Sequence, residues 1–65
     1  MNIIEATRKA LDEKKYIYET KYPFVKMYPS LMMPFDIMKS DGSERSHYWN
    51  PTGEDILSDD WDICD

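Results

Sequence analysis

The residues with chemistry to offer gather toward the C-terminal end. Trp49-Asn50-Pro51-Thr52-Gly53-Glu54-Asp55-Ile56-Leu57-Ser58-Asp59-Asp60-Trp61 sets two tryptophans, a threonine and a group of aspartates along thirteen residues. Carboxylates this close are oxygen donors of the kind magnesium or calcium take. Asp55, Asp59, Asp60 and Asp62 lack the Asp-x-Asp-x-Asp-Gly alternation of a calcium loop, however, so a capped, solvated acidic segment is expected and no metal is assigned. His47 has Ser46 and Tyr48 beside it and no motif that supplies a nucleophile and an orienting acid, which makes it a strand histidine facing solvent or hydrogen-bonded. Nothing around Cys64 would depress a thiol pKa. With Gly42 and Gly53 the only glycines, there is no phosphate-cradling loop. No catalytic residue and no cofactor are assigned.

Binding has more support than catalysis. Nine aromatic residues in 65 exceed what so small a core encloses, so some should line a cleft or a subunit interface. Rings beside Lys21, Lys26 or Arg45 would suit a nucleotide, with the base stacked on a ring and phosphates meeting cations. The simpler reading is a core plus a homo-oligomer seam.

A chain this short buries only about 60% of the surface it exposes when unfolded. One cysteine excludes an internal disulfide, and one cysteine with one histidine excludes a structural zinc site. Oligomerisation or efficient aromatic packing must supply the remaining stability. The sequence has no charged leader with an apolar run and no apolar stretch near the roughly 20 residues of a membrane helix, so a soluble, intracellular protein is expected. Net charge is −5, divided unevenly: residues 1–28 hold six bases and four acids, residues 54–65 six acids and no base. That argues against general nucleic-acid binding and leaves head-to-tail subunit contact, an acidic decoy surface or a solvated tail open.

The elements that must position these residues read as follows. Asn2 and Glu5 form a capping box ahead of an apolar stripe of Ile4, Ala6, Ala10 and Leu11, predicting a helix over residues 3–13. Tyr16–Tyr22 has strand composition and stops at Pro23; Phe24–Tyr28 is a second strand. Pro29 to Pro34 encloses a loop, Phe35–Lys39 is a third strand, and Asp41-Gly42 marks a hairpin returning through Glu44–Trp49. Thr52 and Asp55 cap a short helix to about Ser58, and Trp61 and Ile63 share one face of a terminal strand. The fold class is α+β in a single domain, residues 1–65: an N-terminal helix, a small antiparallel sheet, a short C-terminal helix and a terminal strand, in an oligomer.

The segment Trp49-x-Pro51-Thr52-x-x-Asp55-Ile56-Leu57-x-x-Asp60-Trp61 resembles the closing motif of the second-type Thoeris anti-defence family of phage proteins. Pro34–Lys39 with Asp41-Gly42 resembles that family's hairpin entrance, and the opening helix and following strand also fit. The resemblance implies a homo-oligomer, a tetramer, with pockets between protomers, acting in the cytoplasm of the infected bacterial host. It implies a cyclic ADP-ribose isomer as ligand, held without cleavage so that the defence effector stays inactive. Tyr22 and Trp49 would then be stacking or wall residues, with Thr52, Asp55 and Asp59 as polar contacts or organisers. Where relatives carry a glycine after the first helix and then arginines, this chain has Lys14-Lys15 and then Tyr18, Glu19 and Tyr22, so phosphate contact would fall to Lys21 or Arg45. The alternative is a small acidic inhibitor or nucleic-acid mimic acting on a host protein through residues 54–65.

Overall fold

The structure, a computed structural model, describes residues 1–65. Helix α1 (Ile3–Glu13) begins at the Asn2/Glu5 capping box: Asn2 Oδ1 accepts from the Glu5 N–H at 2.8 Å, and Glu5 Oε1 accepts from the Asn2 N–H at 3.1 Å. It ends on Lys14, whose φ of 57° is left-handed, a conformation glycine adopts more readily than lysine.

Four strands and a short helix follow before the last strand: β1 (Tyr16–Glu19), β2 (Val25–Tyr28), β3 (Asp36–Lys39), β4 (Arg45–Ser46), α2 (Gly53–Leu57) and β5 (Trp61–Cys64). They make one antiparallel sheet in the order β4-β3-β2-β1-β5, so the first and last strands pair and the chain closes on itself. The Met1 amine reinforces this closure by donating to the carbonyls of Asp59 and Trp61, while the Trp61 N–H donates to the Met1 carbonyl.

The register Ile17↔Met27↔Ile37 puts these three side chains on one face, and Glu19↔Trp61 adds two more to it. Ala6 and Ala10 of α1 are fully buried against this face and, having only a methyl each, let the helix approach closely; with Ile17, Met27 and Trp61 they are the core. Ile4, expected in the apolar stripe, is instead 62% exposed. The opposite face carries Tyr16 and Tyr28 packed edge to face, with Lys26 over the Tyr16 ring.

Two strands are shorter than their composition predicts. β1 stops at Glu19 because the Tyr22 N–H turns back to the Glu19 carbonyl and Thr20 bonds to Asp60, which makes residues 20–22 a turn ahead of Pro23. β4 is confined to Arg45–Ser46, since Gly42 and Glu44 both have positive φ and the chain bends at His47. The Trp49 N–H then rejoins β3 by donating to the Phe35 carbonyl, one residue out of the register set by Ile37↔Ser46. The extra residue acts as a bulge. It leaves Tyr48 75% exposed and stacks Trp49 on Phe35, turning the indole toward the core.

Candidate functional site

The bulge, the turn after β1 and helix α2 meet at a pocket of about 210 Å³. Trp49 forms one wall, held by stacking on Phe35 at 5.8 Å and by an edge contact to Trp61 at 5.6 Å between ring centroids. Tyr22, half exposed in the turn after β1, forms another. Val25, Met27 and Ile37 of the sheet's core face make the apolar floor. The polar groups are two carboxyls, Glu19 and Asp55.

Asp55 is placed by three bonds. Its carboxylate accepts from the Thr52 N–H at 2.9 Å, its own N–H donates to Thr52 Oγ1 at 3.3 Å, and its carbonyl accepts from the Trp61 indole at 2.8 Å. Thr52 is therefore an organiser of Asp55, outside the pocket lining. Glu19, which stands in the sequence only as a departure from the family pattern, is the second carboxyl of the pocket. It is only 4% exposed, and its Oε2 has no hydrogen-bond partner in the protein. Lys21 Nζ stands 3.7 Å from that oxygen, close enough for an ion pair but long for a hydrogen bond, and is shared with Glu54 at 3.8 Å.

Burial pushes the Glu19 carboxyl above the usual range. Hydrogen bonding to Asp55 and repulsion from its charge push the same way, against Lys21 and Ser58. Burial acts on Asp55 in the same sense, but the hydrogen bonds from Glu19 and from the Thr52 backbone and hydroxyl, together with Lys21, outweigh it and leave Asp55 below its ordinary value. Two ionised carboxylates are acceptors only and repel each other, and of this pair Glu19 is the one whose ionisation is disfavoured.

The other residues singled out lie elsewhere. Arg45 pairs with Asp36 between β3 and β4, and His47 Nδ1 lies 3.2 Å from the second Asp36 oxygen. Arg45 and then His47 hold the Asp36 carboxyl below the usual range. Asp59 is exposed, and its carbonyl accepts from the Met1 amine at 3.1 Å. Lys21 stands at the rim through its pairing with Glu19. Burial pushes the Cys64 thiol up, opposed by Lys26.

A second depression, about 570 Å³, runs between α1, the 29–34 loop and α2, and is lined by Ile4, Leu11, Leu31, Met33, Pro34 and Ile56 among others. It is mostly apolar, with Thr7 and Arg8 of α1 as its polar lining and Trp49 shared with the smaller pocket. The smaller pocket sets two carboxyls against an apolar floor, and polar groups converging in an apolar pocket are the usual mark of a ligand site.

Fold and pocket together define a small α+β domain with one aromatic cleft ending on a carboxyl pair. Over residues 1–64 the chain matches the Tad2-like model, the Thoeris anti-defense 2-like domain, and it belongs to that family. Membership gives it a phage anti-defence role. Neither a curated protein nor a solved structure matches the chain. No helix is long and apolar enough to cross a membrane.

Proposed function

We propose that the protein captures a cyclic ADP-ribose-type immune messenger and holds it uncleaved, so that the defence effector it would activate stays silent. The observation that carries this reading is the convergence of Tyr22, Trp49 and Asp55, from three separate segments, on one pocket. Two aromatic walls accept a flat base or the apolar face of a sugar, and the carboxyls accept its donors.

At about 210 Å³ the pocket lies below the roughly 300–1,000 Å³ of sites that enclose a whole ligand of drug size. One protomer therefore holds part of the messenger, and a second copy covers the rest. The exposed side chains of Ile4, Leu31, Met33 and Ile56 support such self-association, because a contiguous apolar patch on a small protein is commonly an interface. We place the homo-oligomer, a tetramer by family resemblance, in the cytoplasm of the infected cell.

Holding without cleaving is supported by the placement of the other reactive groups. His47 is tied to Asp36 outside the pocket, and Cys64 is biased toward the thiol. A sponge must also be abundant and bind more tightly than the effector it competes with.

A second reading rests on a different surface. Asp59, Asp60 and Asp62 are exposed and make no ion pair, whereas Glu54 and Asp65 are paired to Lys21 and Lys15, so these three aspartates form an acidic face for a basic protein partner.

The test is to incubate the protein with the product of an activated Thoeris TIR enzyme, remove free small molecules, denature the protein and identify what is released by mass spectrometry. Intact cyclic ADP-ribose isomer is expected. Cleaved product would replace the sponge by an enzyme using the carboxyl pair, and an empty protein would favour the acidic face.

A further inference from the structure

The Glu19 carboxyl is on the wrong side of its strand for a charge. Ile17 and Glu19 point the same way, into the face covered by α1, and Glu19 sits opposite the buried Trp61. Burying a carboxyl with an unpartnered oxygen is costly, about 1–3 kcal/mol or more, unless something else satisfies it. Lys21 answers only in part, at 3.7 Å from that oxygen and shared with Glu54.

We propose that Glu19 and Asp55 together accept the hydroxyl donors of a ribose, so that a sugar of the captured ligand, and not its phosphate, occupies the depth of the pocket. The inference rests on the sequestration reading above and names which part of the messenger this site takes. A phosphate is excluded from the depth by charge: two carboxyls meet it, against the single Lys21 at the rim. A ribose diol is the complement. It carries two neutral donors on adjacent carbons, and carboxylates accept such hydroxyls in nucleotide sites generally. The apolar floor of Val25, Met27 and Ile37 suits the carbon face of the ring, and the volume suits a sugar better than a whole dinucleotide.

Binding of this kind is linked to protons. In the free protein the buried, unpartnered Glu19 oxygen beside Asp55 disfavours the ionised carboxyl. Ligand hydroxyls supply donors to both carboxyls and so favour their ionised, accepting forms. The groups facing Glu19 are Lys21 and Tyr22 from the turn after β1, Asp55 and Ser58 from α2 and its end, and Glu54 through Lys21; β2, β3 and β5 present only apolar side chains and the Trp61 ring. Glu19 itself is the group whose ionised form the ligand hydroxyls favour, so affinity falls toward acid pH.

The experiment titrates purified cyclic ADP-ribose isomer, made by an activated Thoeris TIR enzyme, into the unmodified protein, Glu19→Gln and Asp55→Asn between about pH 5 and about pH 8. Glu19→Gln keeps the side-chain volume and a donor for Asp55 but loses one anionic acceptor. It is expected to bind about tenfold or more weakly near neutral pH and to lose the acid-side fall in affinity. Asp55→Asn, which retains the carbonyl that holds Trp61, should behave likewise. Deoxy analogues of the messenger that lack hydroxyls on each ribose in turn add a second readout: one of them should bind the unmodified protein about tenfold more weakly, yet bind Glu19→Gln no worse than the intact ligand does. Unchanged affinity and pH profile in Glu19→Gln and Asp55→Asn, both still folded by thermal melt, would overturn the inference while leaving sequestration standing. So would the absence of any coupling to a ribose hydroxyl. No binding by the unmodified protein would overturn both.

Discussion

The indole Nε1 of Trp61 donates to the main-chain carbonyl of Asp55 across 2.8 Å, joining the most deeply buried aromatic side chain to the residue whose carboxylate ends the pocket. Core and site are thus connected by one hydrogen bond. Trp61→Phe removes that donor, leaves the carbonyl without its partner and opens space beside Trp49. A loss of about 2–4 kcal/mol in unfolding free energy is expected, read from urea denaturation. Ligand affinity should fall with it, because α2 is no longer held in place.

Lys14 ends α1 with φ 57°, a left-handed conformation that glycine adopts without a side-chain penalty. A left-handed lysine costs roughly 1 kcal/mol relative to glycine. Lys14→Gly should therefore stabilise the protein by about 0.5–1 kcal/mol without altering ligand affinity, since Lys14 does not line the pocket. An unchanged or lower denaturation midpoint would show that the lysine stem contributes packing that outweighs its backbone strain.

How much of this was legible in the sequence depended on whether the signal was local. The two capping boxes, Asn2/Glu5 and Thr52/Asp55, are complete within four residues, and both helices start where these predict. The Asp41-Gly42 hairpin and the Trp61/Ile63 alternation are local in the same way. The family was legible too, through the closing motif. Tyr22, Trp49 and Asp55 were named by resemblance, but nothing local showed that they meet, because the bulge at His47–Tyr48 and the turn after β1 bring them together. Glu19 does carry a local signal: two residues after Ile17 in a strand, it shares the buried face. The extent of β1 and β4 was not legible, since composition cannot say where a ladder ends when hydrogen bonds turn back on themselves or find partners 40 residues away.

Glu19 and Asp55 make opposite contributions to stability against pH. The raised Glu19 value means that its contribution is fully present below the ordinary glutamate pKa and is lost as pH rises through the folded value. The lowered Asp55 value means a contribution present above the ordinary aspartate pKa and lost as pH falls through the folded one. Glu19→Gln imitates the protonated side chain and so should be the more stable form near pH 8, by about 1 kcal/mol or more, and match the parent near pH 4. Denaturation midpoints across that range give the comparison. A variant destabilised throughout would mean that the ionised carboxylate is itself a structural partner.

Tyr22 and Trp49 form walls of one pocket but differ in what else they hold. Tyr22 is 47% exposed in a turn, whereas Trp49 is packed against both Phe35 and Trp61. Tyr22→Ala should cost under about 1 kcal/mol of stability, while Trp49→Ala should cost about 2–4 kcal/mol. Both should weaken messenger binding by tenfold or so if each ring stacks on the ligand. Thermal melts and titrations on the same samples separate the two effects. Normal binding by both variants would remove this pocket from the proposed function.

The apolar groove offers the last test, because its exposed side chains have no role in the fold of a single chain. Leu31 is 84% exposed in the loop after β2, and Ile4 projects from α1 although its neighbours Ala6 and Ala10 are buried. Neither holds the core together, so a charge at either position should leave the monomer's stability within about 0.5 kcal/mol. At a subunit seam the same charge would be buried without a partner and would cost several kcal/mol per contact. Ile4→Glu combined with Leu31→Glu should therefore shift the species seen by light scattering from oligomer to monomer while the circular dichroism spectrum is kept. Messenger affinity should drop at the same time, since a pocket too small for the whole ligand loses the copy that covers it. An oligomer that survives both substitutions would place the seam on the opposite sheet face, where Tyr16, Lys26 and Tyr28 cluster.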